Sequence, residues 1–415
     1  MNGFIESIKA VCTLFNLLFL FLGGYIFIIS IFAWRRRGDP NTNIKHTTTF
    51  ALVVAAHNEE TVIKNLIENL KNLEYPKDKY DIFVVADNCG DKTGEIARKS
   101  GAIVFERDNK QEEGKGNALK WMFGILFGLE KKYDAVCVFD ADNLVSVDFL
   151  SEINKKMNEG YKIVQGYRDI KNPFDSWITV SYAITYWMAN RLYQLPRYYL
   201  GLSNILTGSG YAISMNILKE MSWEVTSLTE DMEFSIQSML KGIKIGWAHQ
   251  AVIYDEQPLT LYESWIQRKR WMQGHAYCMV KYFKAVCLKL VHDKSMTAFD
   301  SLFLLVTPII TLLGSFNMLL NTFVYLFLQA EHTKPYIYLF LGISIIAYLA
   351  QSLYFLIFIN LEKKFKPMVL TGLIVFAVFN LTWIPIIIQG LLNRNKNKWV
   401  HIAHTRNISI YQLHD

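Results

Sequence analysis

Two aspartates one residue apart, Asp140 and Asp142, close the apolar run "VCVFDADNL" (136–144). Carboxylates at the end of a buried strand form a hard oxygen site that suits Mg²⁺ or Mn²⁺ shared with substrate phosphates. The alternative is a pair of solvated loop acids capping the next helix. Three further clusters favour the metal site. In "EEGKGNAL" (112–119), Lys115 stands between two glycines at a helix start, where a phosphate can approach closely. In "SLTEDMEFSIQSMLKG" (227–242), Thr229 reads as an N-cap, and Glu230 and Asp231 open a helix whose dipole favours carboxylates. In a crevice near a metal, such an acid serves as a general base. In "SWIQRKRWMQG" (264–274), helical spacing puts Gln267, Arg270 and Trp271 on one face. Arg270 can grip a diphosphate and Trp271 can stack on a sugar, while Arg268 and Lys269 read as a basic face snorkelling at a membrane surface.

These residues need a frame, and residues 49–166 supply one. "TFALVVAA", "YDIFVVAD", "AIVFER" and "DAVCVFD" read as buried strands. Between them lie helical stretches, "EETVIKNLIENLKNL", "DKTGEIARKSG" and "GKGNALKWMFGILFGLEKK". Strands of continuous Val, Ile and Phe that alternate with helices predict an α/β fold, a mostly parallel, Rossmann-like sheet covered on both faces. Ligands then bind beyond the C-terminal strand ends. There stand "HNEE" (57–60), "DNCGD" (87–91) and "DADN" (140–143), which should converge on one crevice.

Four uncharged apolar stretches surround this unit: 11–34, 301–329, 335–360 and 368–392. Each is long enough to cross a bilayer, which takes about 20 residues. The expected organisation is an N-terminal membrane helix (1–38), a cytosolic domain (39–297), a C-terminal membrane bundle (298–393) and a basic tail (394–415). Arg35, Arg36 and Arg37 follow the first stretch and place its C-terminal end in the cytoplasm. The chain is then a multi-pass protein of the plasma (inner) membrane with a cytoplasmic catalytic domain. The aromatic-rich segments 173–200 and 259–296 read as helices lying in the membrane interface. Topology carries a conflict. Three C-terminal spans put the tail outside, yet "NRNKNKWVHIAHTRN" (393–407) and Lys363, Lys364 and Lys366 are basic and belong inside. A break at Trp383-Ile384-Pro385, making one segment re-entrant, would remove it. The net charge of +6 lacks the dense basic runs of a nucleic-acid binder. Five cysteines without metal spacing read as free thiols.

The ordered set Asp140-x-Asp142, Thr229-Glu230-Asp231 and Gln267-x-x-Arg270-Trp271, set ahead of a membrane bundle, resembles the processive family 2 glycosyltransferases. That group includes the cellulose, chitin, hyaluronan and poly-N-acetylglucosamine synthases. The resemblance implies a GT-A domain and an inverting, metal-dependent hexosyltransferase of the polysaccharide-synthase type. His57 and Glu59 would lie near the uracil, with His57 in place of the more usual Tyr, and Asp87 would contact uracil or ribose. Lys115 would hold the UDP, and Asp140 and Asp142 the nucleotide and a Mg²⁺ or Mn²⁺. Gly208, Ser209 and Gly210 would form the acceptor-side loop. Asp231, with Glu230 beside it, would deprotonate the acceptor hydroxyl. Gln267, Arg270 and Trp271 would bind the diphosphate and the acceptor's terminal sugar. In this family a Trp-containing segment after the last helix can cap the site, and Trp399 and Arg406 resemble it. The implied partners are a UDP-sugar (UDP-glucose first, UDP-N-acetylglucosamine next), a growing β-linked polysaccharide secreted through the chain's own membrane region, membrane lipids and accessory secretion proteins. Two rivals stand beside this: a non-processive transferase adding one sugar to a lipid or polyprenyl phosphate, and a silent polysaccharide-binding scaffold.

Overall fold

The computed structural model describes residues 2–34, 45–327, 333–396, 404 and 406–413. Eight strands make one sheet: β1 (Phe50–Ala56), β2 (Tyr80–Asp87), β3 (Ile103–Arg107), β4 (Ala135–Asp140), β5 (Leu144–Val145), β6 (Ile163–Ile170), β7 (Tyr211–Ser214) and β8 (Ile245–Asp255). Their order is β3-β2-β1-β4-β7-β6-β8-β5. β1 pairs in parallel with β2 and with β4, and β6 with β8, while β7 runs antiparallel to β4 and β6, and β5 to β8. The sheet is therefore mixed. Its parallel strands point their C-terminal ends at one edge, which gathers the strand-end clusters there.

Helices α1 (Asn2–Ile31), α2 (Ile63–Lys71), α3 (Thr93–Lys99), α4 (Lys115–Gly128), α5 (Phe149–Asn158), α6 (Trp177–Met188), α7 (Leu195–Tyr199), α8 (Met215–Met221), α9 (Glu230–Leu240), α10 (Leu261–Asp293), α11 (Met296–Phe327), α12 (Thr333–Leu361), α13 (Met368–Leu381) and α14 (Trp383–Leu392) complete the architecture. Period-two alternation along the strands divides the core. Leu52, Val54 and Phe139 face α2 and α5, and Val53, Val136 and Val138 face α4. On α2 the buried residues Ile63, Leu66, Ile67 and Leu70 repeat at helical spacing. Full burial of such a side chain contributes about 1.5–3 kcal/mol.

Four helical segments are long and apolar enough to cross a membrane: Ala10–Trp34, Met296–Val324, Gly342–Leu361 and Met368–Leu392. The last is two helices, α13 and α14, parted at Thr382. Both of its ends rest on the sheet-bearing domain. Before it, Lys364 Nζ pairs with Asp169 at 2.5 Å; after it, the Asn393 carbonyl accepts from Gln273 Nε2 at 3.1 Å. Its middle is held there too. Arg268 donates to Thr382 Oγ1 at 2.8 Å, and Gln389 Oε1 accepts from Trp265 at 3.0 Å. The segment therefore leaves and returns on the sheet's side, with Leu370, Ile374, Val378 and Leu381 exposed on its outer face. The tail lies on the same side. The backbone N–H of Arg406 donates to Glu256 at 3.2 Å, and its guanidinium pairs with Asp175. Lys364 and, among the described tail residues, His404 and Arg406 thus contact the sheet-bearing domain. Arg35, Arg36, Arg37 and Trp399 lie outside the described residues.

One sequence expectation changes. Arg268 does not snorkel: it is fully buried and stacks on Phe379 (4.2 Å) and Trp383 (5.0 Å), because the α13–α14 break folds over it. Within 173–200 the aromatics divide, with Trp177 exposed at the start of α6. Tyr182 and Trp187 are buried between β6 and α13, and the chain there runs from α6 through a π-helical stretch, Ala189–Gln194, into α7. All five cysteines are free.

The α10–α14 contact depends on Gly390, where a Cβ would lie 2.4 Å from Met272 Cβ and 2.8 Å from its backbone carbon. Gly390→Ala should lower stability by about 1–3 kcal/mol. Thermal unfolding in detergent checks this, and an unchanged Tm would show that α14 is not seated on α10 as described.

Candidate active site

At the C-terminal edge of the sheet lies a cavity of about 1060 Å³. β4 delivers Asp140 and Asp142, and β8 delivers Asp255. One carboxylate oxygen from each lies within 4.8 Å of the others, a cluster able to hold a metal ion. Asp142 and Asp255 are buried. Burial first, then the neighbouring charge of Asp255, pushes the Asp142 carboxyl well above the usual carboxylate range. A hard cation held between the three carboxylates would offset the repulsion between them. Their surroundings hold them in place. Arg168 grips Asp255, Asn143 Nδ2 donates to Asp255 at 3.0 Å, and the Glu256 N–H donates to Asp142 at 2.9 Å. Lys171 Nζ donates to the Asp142 carbonyl at 2.8 Å.

Lys115 begins α4 beside Gly114, whose φ of +107° gives the tight approach that a side chain would strain. Its ammonium lies 2.5 Å from Asp140 and 3.9 Å from Glu230, and donates to the Gly208 carbonyl at 2.7 Å. Burial works against the charged form, but Asp140 and Glu230 more than offset it and raise the Lys115 pKa. Glu230 and Asp231 open α9. Burial raises both carboxyls, in Glu230 against the pull of Lys115 and in Asp231 against the Met232 N–H, Lys115 and Arg168. Gly208, at φ +91°, leaves the space in front of them. A Cβ there would come within 3.6 Å of Arg168 Nη1 and 3.8 Å of Asp231 Oδ2.

Thr229 stands at the N-cap position, but its side chain caps nothing, and its buried hydroxyl has no hydrogen-bond partner. Gly274 explains why, since a Cβ on it would sit 2.4 Å from Thr229 Oγ1. Thr229 packs directly on Gly274 where α9 meets α10. The loop into α9 is fastened instead by Glu233, which accepts from the N–H groups of Thr226 and Ser227 at 2.7 Å and pairs with Lys281 of α10. α10 itself starts with a capping box of Thr260 and Glu263.

Gln267, Arg270 and Trp271 of α10 line the cavity. Gln267 accepts from Tyr182 at 2.9 Å, and Trp271 meets the Tyr182 ring edge-on at 6.1 Å. At the nucleotide end, His57 Nδ1 lies 2.7 Å from the Asp87 carbonyl, and Asp87 forms a buried ion pair with Arg107 at 2.6 Å. The tail reaches in here, with His404 Nδ1 2.9 Å from Glu59. Burial would lower the His404 pKa, but Asp142, Glu59 and Glu256 raise it to about 10, so the ring is a cation.

The structure thus brings His57, Glu59, Asp87, Lys115, Asp140, Asp142, Gly208, Glu230, Asp231, Gln267, Arg270 and Trp271 to one cavity. Ser209 and Gly210 are not on its wall. The Ser209 carbonyl accepts from Gln165 at 3.0 Å, and Gly210, at φ +63°, packs on Ile253. They support the loop from behind because the chain turns inward after Gly208. Sequence reasoning missed Asp255, Arg168, Lys171 and His404. "VIYDEQ" (252–257) carries the signal for the first, an apolar run ending in acids as in "VCVFDAD". Nothing local marks the other three.

The profile described as "Glycosyl transferase family group 2" matches residues 135–388. The chain is 29% identical over 282 residues to a probable glycosyltransferase, YdaM, of Bacillus subtilis, covering 64% of each. It is 28% identical over 235 residues to a beta-monoglucosyldiacylglycerol synthase of Trichormus variabilis (54% of this chain, 48% of that one). With a poly-beta-1,6-N-acetyl-D-glucosamine synthase of Staphylococcus aureus the identity is 27% over 261 residues, 60% of each. The chain therefore matches about half to two thirds of the length of these relatives. The fold matches that of the mannosyltransferase PcManGT from Pyrobaculum calidifontis, solved with GDP-Man and Mn²⁺, at a TM-score of 0.60 and 14% identity over 96% of this chain and 99% of that one. With more than half its length inside the family profile, and with a GT-A sheet whose acidic strand ends meet in one cavity, the chain belongs to glycosyl transferase family group 2.

Proposed function

We propose that the protein is an inverting, metal-dependent glycosyltransferase that moves a sugar from a UDP-sugar to an acceptor hydroxyl at the membrane face and repeats this to build a β-linked polysaccharide. UDP-glucose is the favoured donor. The observation that carries the reading is one cavity holding the Asp140–Asp142–Asp255 cluster, Lys115, Asp231 and the Gln267–Arg270–Trp271 face. The hard oxygen donors fit Mg²⁺ or Mn²⁺. Such an ion, when bound, neutralises charge on the diphosphate. Lys115 and Arg270 add fixed positive charge where the leaving UDP becomes negative. Asp231 takes the proton of the acceptor hydroxyl as that oxygen attacks the anomeric carbon and the bond to UDP breaks. A single displacement of this kind inverts an α-linked donor to a β-linked product. Trp271, braced by Tyr182, offers a face for the acceptor's terminal sugar. Trp271, Met272 and Leu304 of α11 line the same cavity, and in this reading the product leaves between them.

A second reading is favoured by that same end. Met232, Met272 and Leu304 make it apolar, so a lipid acceptor could enter there. The curated relatives include both a diacylglycerol-linked and a polymer-forming enzyme. Product size separates the two. Protein in lipid nanodiscs with Mn²⁺, offered labelled UDP-glucose and UDP-N-acetylglucosamine, should give a high-molecular-weight product. A lipid-extractable monoglycoside would establish the second reading.

Asp231→Asn should leave UDP affinity within about twofold and lower turnover by about 10²–10⁴; turnover near wild type would remove Asp231 as the base. Because burial raises its pKa, the ionised base is lost as pH falls through a value above the ordinary carboxylate pKa of about 4. Turnover should therefore rise with pH along a limb shifted upward, and a limb at the ordinary value would contradict the assignment. EDTA should abolish activity and Mn²⁺ restore it. Asp255→Asn should weaken Mn²⁺-dependent UDP binding by about tenfold or more in calorimetry, and unchanged binding would exclude Asp255 from the metal site.

A further inference from the structure

α11 carries Pro308 in its interior. Proline has no N–H, so the Leu304 carbonyl loses its intrahelical donor and the turn before the proline is not closed by its own bonds. A side chain from another helix supplies a donor there. His275 of α10, one turn beyond Trp271, is buried, and its Nε2 lies 3.0 Å from the Leu305 carbonyl oxygen. The neighbouring Leu304 carbonyl lies close enough to favour the protonated ring as well. Burial pushes the His275 pKa down to about 4. The ring is therefore neutral, and its single proton belongs on Nε2, where the carbonyls are. His275 and Leu304 both line the cavity beside Trp271 and Met272. The acceptor end of the cavity is thus walled partly by a membrane-helix turn that depends on an imidazole of the Trp271 helix.

We infer that His275 is a positioning residue for the acceptor. It fastens the proline-broken turn of α11 to α10 and so sets Leu304 against Trp271 across the acceptor path. A histidine that only filled space would be replaceable by leucine. One that tethers carbonyls needs an N–H donor, and it becomes dispensable once α11 can close its own turn. The inference rests on the transferase reading above and deepens it. The UDP end, built on β1, β2 and β4, lies apart from this contact, so donor binding should not change.

The experiment compares wild type, His275→Leu, His275→Gln, Pro308→Ala and the double variant His275→Leu/Pro308→Ala in nanodiscs. Calorimetry with UDP and Mn²⁺ reads the donor site, and UDP release from UDP-glucose plus UDP-N-acetylglucosamine reads turnover. His275→Leu should lose about tenfold or more in turnover at unchanged UDP affinity, as expected for a buried carbonyl left unpaired. His275→Gln should recover most of this, and Pro308→Ala should suppress the leucine defect in the double variant. Leucine turnover within twofold of wild type, glutamine no better than leucine, or a double variant as impaired as His275→Leu would each overturn the proposal. If wild type releases no UDP from either donor, the transferase reading has failed instead. Thermal unfolding of the same five proteins then decides the tether, because only a tether predicts that Pro308→Ala restores stability lost in His275→Leu.

Discussion

The arrangement depends on a concentration of buried negative charge at one edge of a sheet. Asp140, Asp142 and Asp255 meet within a few ångströms, with Glu230 and Asp231 across the cavity. Such a group folds only if cations reach it from several directions. Lys115 comes from the start of α4, Arg168 and Lys171 from the end of β6, and His404 from the tail. Lys115 pairs with Asp140 and stands near Glu230, Arg168 pairs with Asp255, Lys171 with Glu256 and His404 with Glu59. The same balance that lets the fold tolerate these carboxylates makes the site receptive to a divalent cation and a diphosphate.

α10 carries this constraint outward. Its first turns present Gln267, Arg270 and Trp271 to the cavity, Arg268 to the α13–α14 break, Gly274 to Thr229 and His275 to α11. One helix thus touches the cavity, α9 and the apolar helices α11, α13 and α14. A further buried ion pair, Arg197 with Asp300 at 2.7 Å, joins α7 to the start of α11, and Tyr25 of α1 donates to the same aspartate. These contacts tie the long apolar helices α1 and α11 to the sheet-bearing domain.

The relatives include a diacylglycerol-linked and a polymer-forming enzyme, and the cavity of this chain has one polar and one apolar end. Its polar end is specific for chemistry common to the family, and its far end is lined by Met232, Met272 and Leu304, which discriminate by shape. Apolar pockets separate acceptors weakly compared with sites that hydrogen-bond them. Product identity is therefore decided where the residues say least about it.

Much of this was legible in the sequence because it is local. Strand runs of Val, Ile and Phe that end in Asp87, Asp140 and their neighbours gave both the sheet and the edge where a ligand belongs, and period-3.6 spacing gave the Gln267–Arg270–Trp271 face. Antiparallel β7 escaped the reading, as did the double duty of Arg268, the idle hydroxyl of Thr229 and the inward turn of Ser209 and Gly210. Each depends on a partner distant in sequence. So does the fate of the last apolar segment. Its composition is that of a span, and its contacts with Trp265, Arg268 and Gln273 join it to α10 across more than a hundred residues of sequence. The sequence by itself determined which groups could bind a metal and a diphosphate, since residue type and strand position suffice for that. Tertiary structure alone decided that Asp255, Arg168 and His404 join them, because charges far apart in the chain are brought together only by burial in a common cavity.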